Sequence, residues 1–117
     1  MSNEKINYLE IPSKNITKTK QFFSDVFGWE FVDYGPEYCS FSKDVGIDGG
    51  FYLSEQHCSI DNGSALVVFY SDDLTKIADN IERHQGKIIK PIFEFPGGRR
   101  FHFTDTTGNE YAVWSDK

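Results

Sequence analysis

Arg100 and His102 stand two residues apart in the stretch Gly98-Arg99-Arg100-Phe101-His102-Phe103, and their alternation with phenylalanine puts both on one face of a strand. A guanidinium at such a place can hold a carboxylate or phosphate through two parallel hydrogen bonds. An imidazole there can serve as acid or base near neutral pH. Glu10, Asp48 and Glu110 offer carboxylates at alternating strand positions, with Glu10 the second candidate base after His102. Tyr8, Tyr38, Tyr52 and Trp114 offer rings on which a planar ligand could stack. A divalent metal needs two or three N/O ligands within about 2–2.6 Å. The candidates for it are Glu10, Asp48, His102 and Glu110, while His57 lies in a polar segment and His84 at a helix end. Neither HxH nor HExxH spacing occurs. The expectation is therefore no metal cofactor, with Glu10 pairing electrostatically with Arg100 or His102; a metal site on Glu10 and His102 is the alternative.

These side chains need strands to present them, and the chain supplies a regular set. Segment 4–12 alternates as a strand and is expected to stop at Pro12, which cannot donate to a ladder. Ile16, Phe22, Phe23, Val26 and Phe27 recur at helical spacing, and Gly28 suits the left-handed closing position. Three strands are expected at about 29–34, 37–42 and 46–53, then a polar linker at 54–63. The series repeats. A strand over 64–70 precedes a second helix marked by Leu74, Ile77, Ala78 and Ile81 and closed by Gly86, and strands follow near 87–94, 98–104 and 109–115. Ser13–Lys18 overlays Ser71–Lys76 at the same offset that brings Gly28 onto Gly86, so a structural repeat of two modules, about 4–53 and 64–115, is expected.

Each strand has two faces. One set, including Leu9, Ile11, Phe51, Phe69, Phe101, Phe103 and Tyr111, is apolar and matches the helix stripes, so it is the expected core. The opposite set carries Tyr8, Glu10, Tyr38, Ser40, Asp48, Gly50, Tyr52, Ser64, Leu66, Val68, Arg100, His102, Glu110, Ala112 and Trp114. That set is richer in aromatics than a solvated face requires, which favours a ligand pocket.

The 117 residues fit one domain spanning 1–117. Twelve basic against eighteen acidic side chains leave a net charge of −6, which argues against a nucleic-acid partner. No apolar run approaches the about 18 residues of a membrane helix. The start MSNEKINYLEI lacks the apolar stretch of a secretory signal. Cys39 and Cys58 form neither a metal pattern nor a disulfide framework, so a cytoplasmic protein is expected.

The stretches NYLEIPSKNITKTKQFFSDVFGWEF and FPGGRRFHFTDTTGNEYAVWSD resemble the opening and closing segments of the vicinal oxygen chelate superfamily, which groups glyoxalases, bleomycin resistance proteins and dioxygenases. Within it the chain is most similar to the branch of predicted enzymes related to lactoylglutathione lyase. The resemblance implies an α+β fold of two tandem βαβββ modules, a curved mixed sheet around a cavity with the helices on its outer face. It also implies a ligand role for Arg100 and His102, and a homodimer. The family's metal ligands would fall on Tyr8, Gly50, Leu66 and Ala112, none of which is a usual ligand. The functional expectation is a protein that binds a small organic molecule, of anionic or mixed charge, without the metal. The alternative is a lyase or isomerase with His102 or Glu10 as base and Arg100 stabilising an oxyanion.

Overall fold

The side chain of Asn15 accepts the Lys18 amide at 3.0 Å, and helix α1 (Ile16–Phe27) starts beside it. In the computed structural model, which describes residues 3–117, Asp73 repeats this cap with the Lys76 amide at 3.1 Å and opens α2 (Leu74–Arg83). Met1 and Ser2, the first residues of the expected single domain, lie outside the described residues. The helix ends differ where the repeat led us to expect identity. Gly28 takes the left-handed conformation after α1, with φ 73°. After α2 that conformation falls on Gln85, with φ 71°. Gly86 is needed for space instead, since a β-carbon there would collide with Ile81 and with Phe22 of the other helix.

Strands β1 (Tyr8–Ser13), β2 (Val32–Asp33), β3 (Tyr38–Phe41) and β4 (Asp48–Leu53) form one mixed sheet in the order β1-β4-β3-β2. Strands β5 (Val67–Tyr70), β6 (Lys87–Phe95), β7 (Gly98–Thr104) and β8 (Glu110–Ser115) form a second in the equivalent order β5-β8-β7-β6. In each sheet the strand before the helix pairs in parallel with the last strand, and the remaining pairs are antiparallel. This is the tandem βαβββ architecture, one four-stranded sheet from each half of the chain. Several strand limits differ from expectation. β1 continues through Pro12 to Ser13, which its place at a sheet edge permits. β2 shrinks to two residues, and β5 begins at Val67.

The apolar strand faces meet around α1. Phe23 is fully buried and lies 5.4 Å from both Phe51 of β4 and Tyr111 of β8, ring centre to ring centre. Phe27 stacks on Phe69 at 4.8 Å. One helix thus packs against the core faces of both sheets, and truncating such a ring to alanine costs about 3–5 kcal/mol. A buried polar tie adds to this. Asn109 donates to the Pro12 carbonyl at 2.6 Å and accepts the Cys58 amide at 2.7 Å, so it joins β1, the connecting segment and β8. Asp105 accepts the Thr107 and Asn109 amides and, at 2.7 Å, the Tyr111 hydroxyl.

Candidate functional site

On the first sheet, register places Glu10 of β1, Gly50 of β4 and Ser40 of β3 side by side across the face away from the core. The missing side chain at Gly50 matters. The Tyr38 phenol lies across it, so that a β-carbon at position 50 would run into the Tyr38 hydroxyl and ring. From there Tyr38 donates to Glu10 Oε2 at 2.9 Å and sits 2.6 Å from the Tyr8 hydroxyl. Since the Tyr38 proton goes to Glu10, Tyr8 donates to Tyr38, and a three-member chain crosses β4. Burial first, then these two hydrogen bonds, push the Tyr38 phenol well above its usual pKa. Tyr8 is 46% exposed, so the outer end of the chain faces solvent.

The same wall borders a basin of about 1010 Å³. Tyr8, Tyr38, Ser40 and Asp48 line it from the open face and Tyr34 from the turn after β2, while Trp29 and Phe31 border it from the core, where their rings pack against Phe41 and Phe51. Every lining residue belongs to the first half of the chain. Trp29, Glu30, Phe31 and Tyr34 fall within the strand expected over 29–34 and carry no expected site role. Within that range β2 holds only Val32 and Asp33, and the Tyr34 amide donates to the Tyr38 carbonyl at 3.0 Å. The Trp29 amide turns back to the Phe23 carbonyl at 3.2 Å, and this frees 29–31 from the ladder. The signal available was Gly28, whose helix-closing turn extends into the next residues.

The second sheet arranges its polar residues differently. His102 is 3% exposed and stands opposite Ala112, whose small side chain leaves room for the ring. The Arg100 Nη2 donates to His102 Nε2 at 2.9 Å, and His102 Nδ1 lies 2.9 Å from Glu110 Oε2. A guanidinium can only donate, so Nε2 is the acceptor, the ring is neutral and Nδ1–H donates to Glu110. The second oxygen of Glu110 accepts the Ile60 amide at 3.0 Å. Burial works to raise the Glu110 carboxyl, but the hydrogen bonds from His102 and Ile60 hold it below the usual range. The Arg100 guanidinium lies 5.9 Å from the ring centres of both Phe93 and Phe95, and its buried Nε has no partner among the described residues.

The structure therefore brings the sequence-derived candidates together in two groups. Tyr8, Glu10 and Tyr38 form one, with Asp48 on the same basin, where it accepts the Lys43 amide at 2.6 Å. Arg100, His102 and Glu110 form the other. Glu10 does not pair with Arg100 or His102; Glu110, diagonal to His102 in the β7–β8 register, takes that place. Tyr52 is exposed beside the first group. Trp114 packs edge-on against Tyr70 at 5.1 Å beside the second. Among the described residues no three of His, Cys, Asp and Glu converge as metal ligands would.

Comparison with known proteins places this geometry. The family model described as Glyoxalase/Bleomycin resistance protein/Dioxygenase superfamily matches residues 5–113. A glyoxylase-like domain-containing protein of Didymella fabae is 26% identical over 120 residues, covering 92% of this chain and 91% of that one. A family enzyme from Burkholderia phytofirmans PsJN superposes with a TM-score of 0.77 at 15% identity, over 95% of this chain and 98% of its own. A fosfomycin resistance protein from Listeria monocytogenes superposes at 0.77 with 16% identity, over 97% and 94%. A lactoylglutathione lyase from Agrobacterium tumefaciens gives 0.70 at 18% identity, over 98% and 96%. A mutant of the Listeria protein was crystallised with Mn(II) and 1S,2S-dihydroxypropylphosphonic acid. At these identities the solved structures establish likeness of fold.

Proposed function

The chain belongs to the Glyoxalase/Bleomycin resistance protein/Dioxygenase superfamily, and from that premise we propose that it binds a small organic molecule on the open face of its first sheet, without a metal. One observation carries the proposal: the Tyr38 phenol lies across Gly50 and links Tyr8 to Glu10, beside a basin of about 1010 Å³. The family's metal does not fit the residues here. Its four expected positions hold a tyrosine, a glycine, a leucine and an alanine, and the glycine is covered by a neighbouring ring. Of the remaining donors, Glu10, His102 and Glu110 are bound within their own groups, and Asp48 accepts the Lys43 amide. Hydroxyls and aromatic faces are the chemistry of reversible recognition. The protein acts by sequestration or sensing in a reducing cytoplasm, as a homodimer that covers exposed apolar side chains such as Tyr52, Val68 and Tyr70.

Thermal-shift measurements with Ni²⁺, Zn²⁺, Mn²⁺ and Mg²⁺ test the metal-free half, and none is expected to raise the melting temperature specifically. A rise of several degrees, abolished by Glu10→Ala or His102→Ala, would overturn it. Light scattering at micromolar concentration tests the dimer, which a monomer would contradict.

A second reading, lyase or isomerase chemistry, draws on the Glu110–His102 contact, which orients the imidazole as a carboxylate orients a catalytic base. Its other nitrogen accepts from Arg100, so base catalysis requires Arg100 to swing away first. Solvent deuterium exchange into a 2-hydroxy or 2-oxo compound, lost in His102→Gln, would favour this reading.

A further inference from the structure

Independently of the binding reading, we infer that Asn62 is a site of spontaneous deamidation, and that Glu110 sets its rate by holding the segment that joins the two modules. Among the chain's asparagines only Asn62 precedes a glycine. The reaction needs the next residue's amide nitrogen to reach the asparagine side chain, and a residue without a β-carbon hinders that approach least. Asn62 and Gly63 are both exposed, so water reaches them. In the reaction the Gly63 nitrogen attacks the Asn62 side-chain carbonyl carbon, and the new C–N bond closes a five-membered imide. The side-chain nitrogen leaves as ammonia, taking up through solvent the proton that Gly63 gives up. One water then opens the imide at either carbonyl, which leaves aspartate or isoaspartate.

The folded segment holds every group this step uses. Asn62 Oδ1 accepts the Ser59 amide at 3.3 Å, the Ser64 amide at 3.2 Å and the Ser64 hydroxyl. Its Nδ2 donates to the His57 carbonyl at 2.8 Å. The Gly63 amide donates to the Ile60 carbonyl at 3.0 Å, and the Ile60 amide donates to Glu110 Oε1 at 3.0 Å. Ile60 thus ties the attacking nitrogen to the carboxylate that orients His102. Attack must wait for these bonds to open, and opening is local in an exposed segment. The linkage runs both ways. Deamidation replaces the Nδ2 donor by a negative oxygen against the His57 carbonyl and next to Asp61, and isoaspartate also lengthens the backbone between Ile60 and Ser64. Both changes loosen Ile60 from Glu110.

Peptide mapping by mass spectrometry follows the gain of about 1 Da at position 62 during incubation at mildly alkaline pH. The native protein is expected to gain it at Asn62 before any other asparagine, yet about tenfold or more slowly than the same segment as a free peptide. Ser64→Ala removes one restraint from the loop and should speed the gain about threefold or more, and Glu110→Ala should do the same. Near-UV circular dichroism checks that the variants fold, and Ser64→Ala carries the test if Glu110→Ala does not. In the deamidated protein the Ile60 amide should exchange with deuterium about tenfold faster or more. No gain at Asn62 by the time other asparagines change would overturn the site. A native rate equal to that of the peptide, or an unchanged rate in the folded variants, would overturn control by the fold. Unaltered exchange at Ile60 after deamidation would overturn the link to Glu110.

Discussion

The two sheets share one backbone plan and use its centre in opposite ways. Gly50 and Ala112 occupy equivalent positions, each on the strand between the first and third of its module, with Glu10 and Ser40 beside one and Val68 and His102 beside the other. Tyr38 and Arg100 are equivalent, as are Asp48 and Glu110. On the first sheet a small central residue lets a neutral phenol reach across to Glu10, and the surface stays open. On the second it admits an imidazole that is then enclosed between a guanidinium and a carboxylate. Symmetric folding does not require symmetric chemistry. We assign recognition to the first face and cohesion to the second.

That division predicts unequal penalties. Glu110→Ala leaves His102 Nδ1–H and the Ile60 amide without their acceptor and removes the carboxylate that anchors the Arg100–His102 pair, and urea unfolding should show a loss of about 3 kcal/mol. Gly50→Ala forces the Tyr38 ring to move or the strands to part, an expected loss of about 2 kcal/mol. Tyr38→Phe removes the hydroxyl shared by Tyr8 and Glu10 and costs about 1 kcal/mol by the same assay. Glu10→Ala, on an exposed strand position, should change stability by no more than about 0.5 kcal/mol. A Glu10 penalty matching that of Glu110 would erase the distinction between the faces.

Acid titration sharpens the same contrast. The folded-state pKa of Glu110 lies below the ordinary value of 4.5, so its stabilising contribution is complete above that value and is lost as pH falls through the folded pKa. Unfolding free energies measured between pH 3 and pH 7 should therefore lose less on acidification in Glu110→Gln than in the native protein. An unchanged acid limb would show that Glu110 contributes nothing by its charge.

Much of this was legible in the sequence, because strand alternation is a local property. Phe101 and Phe103 inside, with Arg100 and His102 on the other face, follow from period two alone, and β7 spans the expected 98–104. The helix starts were legible through Asn15 and Asp73, whose side chains cap their own next turn. What escaped was decided between elements. The partner of His102 depends on β7–β8 register, which favours Glu110, on the adjacent strand, over the distant Glu10. The role of Gly50 depends on a tyrosine from the next strand. The basin depends on Trp29–Phe31 leaving the ladder, a consequence of how α1 closes rather than of their own β-forming character.

The most direct test of the division between the faces is amide chemical-shift mapping of the labelled protein against a set of small cationic, neutral and anionic aromatic compounds. Recognition by the first sheet predicts saturable shifts at Tyr8, Tyr38, Ser40 and Asp48, with the amides of Arg100, His102 and Glu110 unmoved. Shifts centred on Arg100, His102 and Glu110, with the first sheet silent, would contradict it.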